Sequence, residues 1–145
     1  FLIISAYMDV LDGAVARILG RVSRFGAVLD SLSDRVTEFN YLFALTILGL
    51  SPYLTMVMLT LSFLISYLRS KGELQGVRME GVGILERGER ILMIMSMFTV
   101  FMLRDLVFDT TIAQNIVTVI AMAFISLCII TIAQRLYHIY RCDQS

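Results

Sequence analysis

The sequence predicts an all-α, polytopic membrane helix bundle, on three observations. Of its 145 residues 58% are hydrophobic, above the roughly 45–50% of a soluble domain, and mean hydropathy is +0.81. Apolar runs approaching the roughly 20 residues that cross a bilayer as a helix recur along the chain. The breaks between them hold glycine, charge or the lone proline, Pro52.

Five runs qualify as candidate spans within a single domain covering residues 1–145. The first is Phe1 to about Gly20, and the second starts near Phe25 and ends at Leu50, ahead of Ser51-Pro52. The third goes from Tyr53 to about Ser70, and the fourth is the ILMIMSMFTVFML run, Ile91–Leu103. The fifth covers roughly Thr110 to Tyr140, long enough for its last turns to emerge into the headgroups. The polar, glycine-studded stretch RSKGELQGVRMEGVGILERGER reads as a loop plus a short interfacial segment.

Basic residues set the orientation. Arg17, Arg21, Arg24 and Arg35 surround the first connection, Arg69, Lys71, Arg78, Arg87 and Arg90 the third, and Arg135 and Arg141 the end. In an alternating topology only Arg104 falls on the other side. The aspartate-rich first connection and the C-terminus are therefore expected in the cytoplasm. By parity the first helix enters from outside, so one more spanning helix is expected ahead of Phe1, with the chain read as N-terminally truncated.

Cys128 and Cys142 form no CxxC or Cys/His cluster, so neither a zinc site nor a disulfide framework is expected. Met93, Met95 and Met97 alternate on a helix and read as lipid- or core-facing filler. Ser62, Ser66 and Ser70 form a small-residue stripe suited to internal helix packing. His138, among Tyr137 and Tyr140, reads as an interfacial residue.

The chemistry lies in DVLDGAVARILGRVSRFGAVLDSLSD, Asp9 to Asp34. Residues three and four apart share a helix face. Asp9, Asp12, Gly13, Ala16, Arg17 and Gly20 then form one stripe, and Gly26, Asp30 and Asp34 another. A connection of about four or five residues makes the two helices antiparallel neighbours whose stripes can face each other. Four carboxylates so placed repel and draw protons unless cations neutralise them. Hard oxygen ligands suit Mg²⁺, Mn²⁺ or Ca²⁺, and a bridging carboxylate holds a metal pair about 3.5–4 Å apart. The glycines and Ala16 leave a hollow beside the metals, and Arg17 can contact a phosphate bidentately. A metal pair, a hollow and an arginine together describe a site for a diphosphate.

The stretch fits D-x2-D-G-x2-A-R-x8-G-x3-D-x3-D without a gap, at Asp9, Asp12, Gly13, Ala16, Arg17, Gly26, Asp30 and Asp34. This resembles the signature of the CDP-alcohol phosphotransferases, integral membrane enzymes of phospholipid synthesis. The family usually has six transmembrane helices with the motif on the second and third, so the five spans here would be its second to sixth. The resemblance implies that Asp9, Asp12, Asp30 and Asp34 hold two divalent metals, Mg²⁺ first and Mn²⁺ second. It implies that Gly13, Ala16, Arg17 and Gly26, with Asp12, form the nucleotide side of the site, and that Asp34 is the general base. The implied reaction is attack of an acceptor hydroxyl on the phosphorus of a CDP-linked lipid, with CMP as product. It implies a homodimer in the cell membrane with a cytoplasm-facing site; no nucleic-acid partner is expected.

Arg69, Lys71, Arg87 and Arg90 are the candidate pocket for a phosphorylated, water-soluble polyol acceptor. Arg87 and Arg90, spaced i, i+3 at a helix start, can both point the same way. YLRSKGE and ILERGERI resemble the matching stretches of inositol-phosphate-accepting members. Glycerol-3-phosphate as acceptor, and CDP-inositol as donor with inositol phosphate as acceptor, are alternatives. From another class, a divalent-cation transporter would also line a path with aspartates. Here, however, the carboxylates gather near one face rather than marking a route across.

Overall fold

A computed structural model describes residues 24–104 and 109–144, and every regular element among them is helical. The four helices are α1 (Arg24–Leu48), α2 (Pro52–Leu74), α3 (Arg87–Leu103) and α4 (Thr110–Asp143). They match the second to fifth expected spans to within a few residues at each end. The first expected span, with its connection to α1, lies outside the described residues.

The breaks follow from local chemistry. Gly49 and Gly76 take positive φ after α1 and α2. At each, the next amide reaches back to a carbonyl in the last turn, Leu50 to Leu45 at 3.0 Å and Val77 to Gly72 at 3.0 Å. These bonds satisfy carbonyls that the helix end would leave orphaned. Pro52 then occupies the first turn of α2, where its missing N–H costs nothing. On the basic side α2 runs one turn further than expected, to Leu74, and α3 begins at Arg87 rather than Ile91.

Contact density divides the chain into two units, Phe1–Thr37 and Glu38–Ser145. The first contributes the opening turns of α1, with Phe25, Val28, Leu29 and Leu32 exposed. In the second, α4 packs against both α2 and α3. Its inner face is Ala113, Val117, Ala121, Phe124, Cys128, Thr131 and Arg135, a stripe at three- and four-residue spacing. Leu42, Leu45, Met58, Ile65, Ile94, Met97 and Phe101 complete the core. Of the serine stripe, Ser62 is buried, Ser66 half-buried and Ser70 exposed, so internal packing holds for its first member only. Of the three alternating methionines, Met97 is a core residue.

The outward faces are as apolar as the core: Ile47, Tyr53, Leu92, Met102 and Val119 are all more than two-thirds exposed. Pro52–Leu74 and Thr110–Asp143 are long and apolar enough to cross a membrane. At 34 residues α4 runs about 50 Å, well beyond a hydrocarbon core of about 30 Å. Exposed apolar flanks on helices of this length are those of a membrane helix bundle, where lipid replaces water as the outer solvent.

Candidate functional site

Asp30 and Asp34 project from one face of α1, with Gly26 one turn earlier in the same register. Asp30 is exposed and Asp34 half-buried. Asp9, Asp12, Gly13, Ala16 and Arg17 lie outside the described residues. Among the described residues no cluster of three or more His, Cys, Asp or Glu side chains forms. The two carboxylates present offer hard oxygen donors one helical turn apart, a donor type and spacing suited to an ion such as Mg²⁺.

The spacing continues to Glu38, one turn beyond Asp34, where the environment changes. Glu38 is buried and takes a bidentate pair from Arg90 of α3, Nε to Oε1 at 2.8 Å and Nη2 to Oε2 at 3.1 Å. Arg87 and Arg90, though spaced i, i+3, therefore stand in different surroundings. Arg87 is exposed, whereas Arg90 is 3% exposed and turned inward to the carboxylate. A guanidinium that leaves water needs a partner, and Glu38 supplies both acceptors in the fork geometry.

Arg69 and Lys71 stand on the last turns of α2. Arg69 pairs with Glu73 at 3.0 Å across one turn, and the Lys71 ammonium lies 5.9 Å from the centre of the Tyr67 ring. A further arginine, Arg135, joins this end of the fold from α4. It is 2% exposed, with Nε donating to the Val82 carbonyl at 2.9 Å and Nη1 to the Ile65 carbonyl at 2.6 Å. Three helices thus each bring an arginine to this part of the fold: Arg69 is paired with Glu73, Arg90 with Glu38, and Arg135 with two carbonyls. Sequence reasoning passed over Arg135 as a positive-inside anchor. The available signal was its register, because it extends the inward stripe that starts at Ala113.

The loop from Gln75 to Glu86 is fastened along one face of α4. The Leu85 N–H donates to the Thr131 hydroxyl at 3.0 Å, and the Ile84 N–H to the Gln134 side-chain oxygen at 3.1 Å. The His138 ring lies 3.2 Å from the Arg78 carbonyl, so His138 is a loop contact rather than only an interfacial residue. With Arg135, these residues make a stripe spaced i, i+3, i+4 and i+7. At the loop's other end, Met79 is fully buried, and a side chain at Gly72 would meet it at 2.6 Å.

A model of the CDP-alcohol phosphatidyltransferases matches residues 1–140 of the chain. The chain belongs to that family. It is 36% identical over 138 residues to the archaetidylinositol phosphate synthase of Aeropyrum pernix, covering 94% of this chain and 66% of that one. The corresponding protein of Pyrococcus horikoshii is 44% identical over 94 residues, 64% of this chain and 50% of its own. The phosphatidylinositol phosphate synthase of Mycobacterium marinum is 39% identical over 95 residues, 61% and 40% respectively. The fold also matches the crystal structure of Mycobacterium tuberculosis phosphatidylinositol phosphate synthase with CDP-DAG bound. There the TM-score is 0.72 at 30% identity, covering 93% of this chain and 68% of that one. The chain therefore spans about two thirds of the Aeropyrum relative and half or less of the other two curated relatives.

Proposed function

We propose that this family member is a membrane phosphotransferase of phospholipid synthesis. It moves the phosphoalcohol group of a CDP-linked lipid (CDP-diacylglycerol or CDP-archaeol) to the hydroxyl of inositol phosphate and releases CMP. One observation carries the reading: the gapless aspartate motif, whose second half lies on one face of the continuous helix α1. The acceptor rests on the names of the relatives, which are synthases of inositol-phosphate lipids, and on the arginines of α2, α3 and α4.

Each residue then has a task. Asp9, Asp12, Asp30 and Asp34 would hold two divalent cations, Mg²⁺ first. Bound there, these ions would neutralise the diphosphate and the charge growing on the leaving phosphate. Gly13, Ala16 and Gly26 leave room for the cytidine nucleotide, and Arg17 binds its phosphates. Asp34, ionised, accepts the hydroxyl proton as the acceptor oxygen bonds to the phosphorus that bears the lipid alcohol. The bond from that phosphorus to the CMP oxygen breaks, and CMP leaves with the electron pair. Arg69, Lys71 and Arg87 take the acceptor's phosphate, while Arg90, braced by Glu38, adds a fixed buried charge. The enzyme works as a homodimer in the cell membrane with the basic end in the cytoplasm, so the lipid never leaves the bilayer.

The test is CMP release in liposomes supplied with a CDP-lipid and either inositol phosphate or glycerol-3-phosphate. Release with inositol phosphate is expected, abolished by EDTA and lowered at least about 100-fold by Asp34→Asn. Release with glycerol-3-phosphate alone would replace the acceptor. If no acceptor gives CMP, and Asp30→Ala abolishes metal uptake by cells, the transporter reading takes over.

A further inference from the structure

The pins between the 75–86 loop and α4 are more specific than loop packing requires. The Thr131 hydroxyl is used in both directions: it donates to the Leu127 carbonyl at 2.8 Å and accepts the Leu85 N–H at 3.0 Å. Leu85 is 2% exposed, so without that hydroxyl its N–H would be buried and unsatisfied. The loop also crosses α4 closely at Gly83, where an added Cβ would lie 2.6 Å from the Thr131 methyl.

The position of these pins gives them their meaning. Leu85 precedes Glu86, the N-cap of α3, and Arg87 opens the helix. Glu86 makes no side-chain cap to its own helix; its carboxylate accepts the Gly81 N–H at 3.2 Å instead. The entry of the chain into α3 is therefore set from outside the helix, by Thr131 and Gln134 of α4. The same loop links the Arg69–Lys71 end of α2 to Arg87.

We infer that Thr131 and Gln134 are positioning residues for the acceptor phosphate: by holding the Leu85 and Ile84 amides they fix where Arg87 is presented. This rests on the acceptor site proposed above. A loop of this length would otherwise sample many conformations, and each basic side chain would have to be ordered when the anion binds. With the pins in place the ordering is done on folding.

Thr131→Val keeps the shape, including the methyl against Gly83, and removes only the hydroxyl. For the full chain in liposomes, KM for inositol phosphate is expected to rise about five- to tenfold, the range of one lost hydrogen bond. The maximal rate and KM for the CDP-lipid should stay within about twofold, because no donor-binding residue is touched. Thr131→Ser should restore the acceptor KM, and Gln134→Leu should reproduce the defect. An unchanged acceptor KM in Thr131→Val overturns the inference. So does a parallel loss in rate and both KM values, which would mark a purely structural role. If the unsubstituted protein releases no CMP with any phosphorylated acceptor, the function proposed above falls and takes this inference with it. If only the Thr131 result is negative, that function stands.

Discussion

Glu38 and Arg90 show how much a single pair can decide where, among the described residues, Arg135 is the other buried charge. The two side chains are 3% and 4% exposed and pair in fork geometry, so each depends on the other for its solvation. Glu38→Ala should destabilise the protein by about 3–5 kcal/mol, since it strands a buried guanidinium. Adding Arg90→Met should recover part of that loss, because no buried charge is then left without its counter-charge. Thermal unfolding in detergent reads both; equal destabilisation by the single and double variants would show that the pair is not what matters. At this scale the sequence was only partly legible. The aspartates announced themselves by spacing, but nothing in the i, i+3 relation of Arg87 and Arg90 showed that a carboxylate 52 residues away holds one of them. Glu38 went unread, although it is the next step of the Asp30–Asp34 register and a lone carboxylate in an apolar run calls for a partner.

Elements were easier to read than side chains, because apolar length and glycine or proline punctuation act locally. Pro52 marked the start of α2, and the charged stretch after Ser70 marked a loop that in fact begins one turn later, at Gln75. What could not be read is that this loop lies as an ordered strap on α4, since its bonds reach 46 to 60 residues along the chain. The strap makes a sharp distinction between two glycines. Gly83 has φ +112° and would set a methyl 2.6 Å from Thr131, whereas Gly88 in α3 has open space around it. Gly83→Ala should cost about 1–3 kcal/mol of stability. Gly88→Ala should be neutral or stabilise by up to about 1 kcal/mol, as alanine favours a helix. Equal unfolding temperatures for the two variants would mean that the strap does not bear on Thr131.

At the scale of the whole molecule, the two cysteines report on topology. Cys128 is buried against the core and Cys142 is exposed at the far end of α4, the end that also carries Arg135 and Arg141. In inside-out vesicles a membrane-impermeant maleimide should modify Cys142 alone. In right-side-out vesicles it should modify neither cysteine, and Cys128 should react only after denaturation. Labelling of Cys142 from outside would invert the proposed orientation. Membrane class and family were legible at this scale because hydropathy and an eight-position motif are properties of the chain itself; the arrangement of the arginines was not, being set by three helices. That arrangement has a consequence for biosynthesis. Thr131, Gln134 and Arg135, which fasten the strap and α2, all belong to α4, which is made after α2, α3 and the loop they hold. Until α4 is threaded into the bilayer, the basic loop has nothing to lie on. A chain interrupted before residue 131 could carry every aspartate of the motif and still lack these three pins, so the 75–86 strap can settle only once α4 has been made.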